Sequence, residues 1–285
     1  MTYKECYQYG RDTLQKADVP EADLDARLLL EYVCNTTRND LLVHGDREVE
    51  PQLFEQYKAV IAKRESRIPL QHITGVQDFC GLTFVVNEHV LIPRQDTEIL
   101  VEQALKRLAS GMKVLDMCTG SGCILISLLS MCKGVSGVGA DISANALKVA
   151  AENGKSLLGE LMGTDKGHSL AWVQSDLFEN VEGEFDVIVS NPPYIRTAVI
   201  EELMPEVKTF EPMGALDGME DGLFFYRKIV KESITYLKKN GWLLFEIGHD
   251  QGEDVSALMA DAGYEDIKVV KDYAGLDRVV LGRLA

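Results

Sequence analysis

The sequence predicts an α/β protein: a doubly wound, largely parallel sheet preceded by a small helical domain and a β-hairpin linker. Three observations carry that expectation. From residue 113 onward short apolar runs alternate with segments of helical periodicity, the first of these runs feeds a glycine-bearing loop that opens a helix, and residues 1 to about 70 hold helical patterns alone.

Taken in order, Ala22, Ala26, Leu29 and Val33 recur at helical spacing after Pro20, and Leu53, Tyr57 and Val60/Ile61 do so after Pro51. A proline near a helix start is favourable because its missing N–H would be unsatisfied there anyway. Residues 1–74 therefore form a helical bundle, either a recognition module or a structural cap. Residues 75–94 change character: Phe79, Leu82, Phe84, Val86 and Val90, with Gly75 and Gly81, predict two short strands in a hairpin linker. Asp96 then caps a helix carrying Leu100, Ala104 and Leu108, with Gly111 ending it. Residues 95–285 form the large domain. Its strands fall at residues 114–116, 137–140, 170–173, 186–190 and 242–247, helices at 123–132, 144–151 and 223–237, and a closing antiparallel pair around 272–276.

With 46% hydrophobic and 26% charged residues, the 285-residue chain has the composition of a folded, enzyme-sized protein. Its net charge of −16 disfavours direct binding to a phosphate backbone, since such affinity comes from counterions displaced by Lys and Arg. The dense basic stretch AKRESR, residues 62–67, reads as a solvated helix end. The apolar run at 123–132 is about half of the ~20 residues a bilayer span needs, so it is a core helix and no membrane association is expected. The N-terminal segment has no basic stretch leading into an apolar run, so no signal peptide is expected and the cytoplasm is the predicted location. Six cysteines form no C-x-x-C pair and five histidines are scattered, which predicts no metal. A monomer is expected.

VLDMCTGSGCILISLL, residues 114–129, places Asp116 on the first strand, then Cys118, Thr119, Gly120, Ser121 and Gly122, then a helix. Small residues there let backbone approach a ligand above the strand ends. Leu125 replaces the third glycine of a dinucleotide fingerprint and no G-K-[ST] follows, so a pyrophosphate ligand is disfavoured. Asp141 ends the second strand near the ~20-residue offset at which a carboxylate accepts from ribose hydroxyls. Asp176 ends the third strand, suited to an exocyclic amine, with Leu177 against a purine face. Ribose, adenine and no phosphate, beside acids that suit a cation, point to S-adenosyl-L-methionine.

SNPPY, residues 190–194, follows the fourth strand. An amide nitrogen is a poor nucleophile because its lone pair is delocalised, so two acceptors must converge on one NH₂ to hold it toward a methyl sulfonium. The Asn191 side-chain oxygen and the Pro192 carbonyl supply them, Pro193 stiffens the turn, and Tyr194 packs on the planar group. No strong base is needed, because the methylated amide loses its proton readily.

These stretches, with LIPRQDTE (residues 91–98) and FEPMGALDG (residues 210–218), resemble the release factor glutamine methyltransferases, the HemK/PrmC family, over nearly the whole chain. The resemblance implies a class I methyltransferase-type fold and methyl transfer to the glutamine of the Gly-Gly-Gln tip of peptide chain release factors. By motif match, residues 118–122 line the methionine part of the cofactor, Asp141 holds ribose, Asp176 and Leu177 flank adenine, and residues 191–194 hold the glutamine amide. Arg94 and Glu98 fall near a hinge, in structural roles. Cys118 stands where many members have the loop's first glycine. Two rivals stay open: a nucleic-acid amino methyltransferase using the same NPPY geometry, and a noncatalytic binding module on the same fold.

Overall fold

The computed structural model describes residues 1–164 and 169–285, with side chains described outside residues 160–168. In chain order the first elements are α1 (Tyr3–Lys16), α2 (Ala22–Cys34), α3 (Arg38–Val43), α4 (Pro51–Glu65) and α5 (Leu70–Thr74), then the strands β1 (Val76–Phe79) and β2 (Leu82–Val85). A 3₁₀ turn, Gln95–Thr97, leads into α6 (Glu98–Leu105), β3 (Lys113–Met117), α7 (Cys123–Met131), β4 (Ser136–Asp141), α8 (Ala144–Thr164), β5 (Leu170–Gln174) and β6 (Phe185–Ser190). Three short helices, α9 (Thr197–Ile200), α10 (Pro205–Phe210) and α11 (Met213–Leu216), precede α12 (Phe224–Tyr236), β7 (Leu237–Glu246), α13 (Gly252–Asp261), β8 (Tyr264–Lys271) and β9 (Asp277–Leu284). No helix among the described residues is long and apolar enough to cross a membrane.

The chain divides into two compact units, Met1–Val76 with Met204–Phe210, and Gln77–Leu203 with Glu211–Ala285. In the first, Thr2 caps α1 through a reciprocal box: Glu5 N donates to its hydroxyl at 3.3 Å and Thr2 N donates to the Glu5 carboxylate at 2.8 Å. Pro51 opens α4. The apolar stripes read from the sequence meet as a core of Leu14, Ala26, Leu29, Tyr57 and Ile61, with the Tyr57 hydroxyl donating to Ala26 O at 2.9 Å.

AKRESR is not a solvated helix end. Arg64 is buried, donating to Asp25 at 2.7 Å and to Glu206 at 2.9 Å, and Arg67 donates to both Glu206 oxygens at 2.7 Å. The reason α10 joins this unit is visible here, since its Glu206 supplies the charge that a buried guanidinium requires. Burial raises Glu206, but hydrogen bonds from Arg67, its own backbone and Arg64 outweigh that and bring it to about 2. Asp25, with one guanidinium instead of two, is pushed up by burial.

In the second unit β1 and β2 form the expected hairpin. The following helix differs from expectation: it runs Glu98–Leu105, Thr97 occupies its N-cap without a side-chain bond, and it ends before Gly111. Asp96 does not cap because its carboxylate pairs with Arg278 at 3.4 Å. Gly111 sits in a later turn, with φ +89°, and donates to Gly134 O at 2.7 Å.

The large sheet has the order β5-β4-β3-β6-β7-β9-β8, with β9 antiparallel to both neighbours and the other pairs parallel. Because β3 pairs with β4 on one side and β6 on the other, the strand order reverses beside it, and a crevice opens above its end. Alternate residues feed two cores. Val114, Val187, Val189 and Leu244 pack with Leu100, Ala104, Leu125 and Leu128 of α6 and α7, while Leu115, Ile188, Leu243 and Phe245 pack with Tyr226, Ile229, Val255 and Met259 of α12 and α13. Helices thus cover both faces, the doubly wound arrangement read from the sequence.

The ion cluster of the first unit has a pH signature. A carboxylate held low in the fold stabilises fully above its ordinary value of 4.5 and loses that contribution as pH falls toward about 2. Glu206→Gln is therefore expected to cost about 3 kcal/mol at neutral pH and to converge on wild-type stability at the acid end, as urea unfolding at several pH values will measure.

Candidate functional site

The loop after β3 is drawn over the sheet edge by its backbone. Thr119 N donates to Ala140 O at 3.0 Å, while Cys118, Gly120 and Gly122 all take left-handed φ values, +63°, +56° and +78°. The two glycines serve different ends. A Cβ at Gly120 would meet nothing within 4 Å, so open space lies over its backbone, whereas one at Gly122 would stand 2.9 Å from the Trp172 ring. Gly120 thus permits approach by a ligand, and Gly122 permits α7 to pack. Cys118 holds the same backbone region with a Cβ, at a cost on the order of 1–2 kcal/mol; burial, then Asp141, push its thiol up, so it stays a neutral thiol.

Asp116, fully buried on β3, is pushed up to about 7 by burial, and accepts from the Thr119 hydroxyl at 2.5 Å. Its task is to hold the loop. Asp141 accepts from Gly120 N and Ser143 N, both at 2.9 Å, one on each oxygen, and burial raises it against those donors. A carboxylate has further lone pairs for ligand hydroxyls. Asp176 is exposed two residues beyond the end of β5, and Leu177 is buried with φ +48°.

A cavity of about 310 Å³ brings together Cys118, Thr119, Gly120, Ser121, Asp141, Asp176, Leu177, Asn191 and Pro193. Gly122, Pro192 and Tyr194 are not among its walls. The sequence reading missed Ile142, an apolar side chain 65% exposed that lines the cavity, although an apolar residue directly after a strand-ending acid was a usable signal. Arg94 also lines it and donates to Glu211 at 2.6 and 2.8 Å. Those two belong to the LIPR and FEP stretches, whose pairing across 117 residues no local pattern reveals. Burial raises Glu211 and Arg94 opposes it. Glu98 lies off the cavity and accepts from Cys80 N at 2.8 Å, tying the hairpin turn to α6.

Beyond β6, Asn191 Nδ2 donates to the Thr97 hydroxyl at 3.5 Å while its Oδ1 meets no donor among the described residues. Tyr194 is held at both ends, its carbonyl accepting from Gln251 Nε2 at 3.1 Å and its hydroxyl donating to Glu246 at 3.4 Å. Burial, then Glu246, raise the phenol, which stays neutral and is no base. Ile195 N donates to Leu216 O at 3.0 Å and Gly218 N donates back to Ile195 O at 2.8 Å.

Open backbone at Gly120, apolar walls at Ile142 and Leu177, and acceptors at Asp141 and Asp176 fit an adenosine that carries a cation. They repel phosphate. The residues present therefore suit S-adenosyl-L-methionine.

Comparison with known proteins agrees. The PrmC N-terminal domain model matches residues 5–75, and the methyltransferase small domain model matches residues 94–207. The chain is 39% identical over 284 residues to the release factor glutamine methyltransferase of Geobacter sulfurreducens, covering 99% of this chain and 97% of that one. To the protein of the same description from Clostridium acetobutylicum it is 41% identical over 263 residues, covering 90% of each. The crystal structure of a methyltransferase from Pyrococcus furiosus aligns with TM-score 0.50 and 15% identity over 80% of this chain and 98% of that one, a likeness of fold.

Gly218 gives a direct check on how tightly the NPPY turn is clamped, because a Cβ there would stand 2.7 Å from Tyr194 Cα. Gly218→Ala is expected to destabilise the protein by about 1–3 kcal/mol and to slow methyl transfer without abolishing cofactor binding, read by thermal unfolding and calorimetry.

Proposed function

The chain belongs to the release factor glutamine methyltransferase family, and on that premise we infer that it transfers a methyl group from S-adenosyl-L-methionine to the side-chain amide nitrogen, N5, of the glutamine in the Gly-Gly-Gln motif of peptide chain release factors. The observation that carries the reading is the state of Asn191, which lines the cavity: its amide nitrogen is turned to Thr97, and its oxygen meets no donor among the described residues.

S-adenosyl-L-methionine supplies, when bound, a methyl group on a positively charged sulfonium. Residues 118–122 would hold its methionine part, Asp141 its ribose, and Asp176 with Leu177 its adenine. Asn191 Oδ1 and the Pro192 carbonyl accept from the two N–H groups of the glutamine amide, which aims nitrogen density at the methyl instead of into the carbonyl. Prolines at 192 and 193 fix that aim by restricting φ. Tyr194, neutral and held at both ends, anchors the turn that carries those acceptors. The proton leaves afterwards to solvent, so the absence of a strong base among these residues is no obstacle.

The helical unit holds its own cavity of about 610 Å³, lined by residues of α1, α2 and α3, with Leu42 and Val43 more than 70% exposed beside it. Exposed aliphatic side chains at a cavity rim support a role in gripping the release factor. One chain holds both the cavity and the acceptors, which supports a monomer, and a release-factor substrate supports a cytoplasmic location.

Labelled methyl is expected on the Gly-Gly-Gln glutamine of purified release factor, to vanish when that glutamine is replaced, with DNA and RNA unlabelled; label on adenine alone would reject the protein substrate. Asn191→Ala should cut single-turnover methylation on the order of 10²-fold with little change in cofactor affinity. Leu42→Asp with Val43→Asp should raise KM for release factor about tenfold and leave kcat in place; an unchanged KM would reduce the helical unit to a structural cap.

A further inference from the structure

We propose that Arg94 binds the carboxylate of the methionine part of S-adenosyl-L-methionine, an inference that rests on the cofactor reading above. The cofactor is no simple cation. It carries a sulfonium and an ammonium, which suit the acids of the crevice, and a carboxylate, which the same acids repel.

The charges of the cavity wall are sorted along the sheet. In the order β5-β4-β3-β6, Asp176 lies beyond β5, Asp141 ends β4, the loop at 118–122 follows β3, and Asn191 follows β6. Arg94 belongs to the Asn191 end: its carbonyl accepts from Thr97 N at 3.1 Å, and the Thr97 hydroxyl meets Asn191 Nδ2 at 3.5 Å. With adenine and ribose at the Asp176 and Asp141 end, the amino-acid tail would run past the 118–122 loop, away from those acids and toward the guanidinium.

Among the described residues, Arg94 is the one Arg or Lys in the cavity wall. The other basic side chain there, His89, sits 3.9 Å from Glu88. Pairing with Glu211 does not exhaust the guanidinium. Both bonds, at 2.6 and 2.8 Å, come from Nη2, while Nε and Nη1 meet no acceptor among the described residues. The Glu211 side chain is 1% exposed and that of Arg94 41%, so the buried partner fixes the fork from one side and leaves its remaining N–H groups for a ligand carboxylate. Ser121, 2% exposed in the cavity wall, adds a hydroxyl without a hydrogen-bond partner on the loop that the tail must pass.

Calorimetric titration of the full-length protein with S-adenosyl-L-methionine and with its decarboxylated analogue tests this without turnover. Arg94→Met should weaken S-adenosyl-L-methionine about tenfold. It should cost the decarboxylated analogue less than about twofold, because the group that Arg94 holds is missing. Since this change leaves Glu211 buried without its cation, thermal unfolding accompanies each titration. If the variant does not fold, Arg94→Met combined with Glu211→Gln, which removes both charges, takes its place. A variant that binds S-adenosyl-L-methionine as tightly as wild type, or that loses equal affinity for both ligands, would overturn the proposal and leave Arg94 a structural partner of Glu211. Wild-type protein that binds neither ligand would instead sink the cofactor reading itself.

Discussion

Met117, the last residue of β3, lies opposite Ala140 of β4 on one side and Ser190 of β6 on the other, and the chemistry depends on that register. Parallel strands end at the same edge, so the loop at 118–122, Asp141 and Asn191 all leave from one line, and none has to reach across the sheet. The Ser190 hydroxyl donating to Met117 O at 2.7 Å locks two of those ends together. The antiparallel β9 adds something a parallel strand could not: it begins where its neighbours finish. Arg278, its second residue, therefore stands at the edge where the other strands deliver acids.

Those acids are unusual in their setting more than in their number. Burial raises Asp116, Asp141, Glu211 and Glu246 alike, and each is met by a specific donor or cation: the Thr119 hydroxyl, the Gly120 and Ser143 N–H groups, Arg94, and the Tyr194 hydroxyl. The crevice is thus a place where negative charge is held at some cost and partly spoken for. A ligand bringing positive charge without phosphate relieves that cost. The same crevice resists the polyanions that a chain of net charge −16 already repels at long range.

Much of this was legible because it is periodic. Strand ends announce themselves by the close of an apolar run, so the glycine loop, Asp141 and Asn191 could be placed at one sheet edge from the sequence alone, and the structure brings them to one cavity. Contiguity could not say which way each backbone turns: Gly122 faces Trp172 and Tyr194 faces Glu246, although both neighbour residues that line the cavity. Long-range charge was opaque as well. Arg64 looked solvated because its partners, Asp25 and Glu206, lie 39 and 142 residues away, and Asp96 looked like a cap because its pairing with Arg278 has no local trace. The six residues of α10, PEVKTF, carry no apolar period that assigns them to the helical unit.

That assignment has a consequence for how the chain is made. The first unit is interrupted: residues 204–210 return to it after most of the second unit has been spelled out. On the ribosome, Arg64 emerges 142 residues before Glu206. At ~5–20 residues per second that interval is on the order of ten seconds. Until then the cluster of four charges is incomplete, with the guanidiniums of Arg64 and Arg67 and the single carboxylate of Asp25, so it closes only late in synthesis. A contiguous N-terminal fragment would stay permanently in that open state.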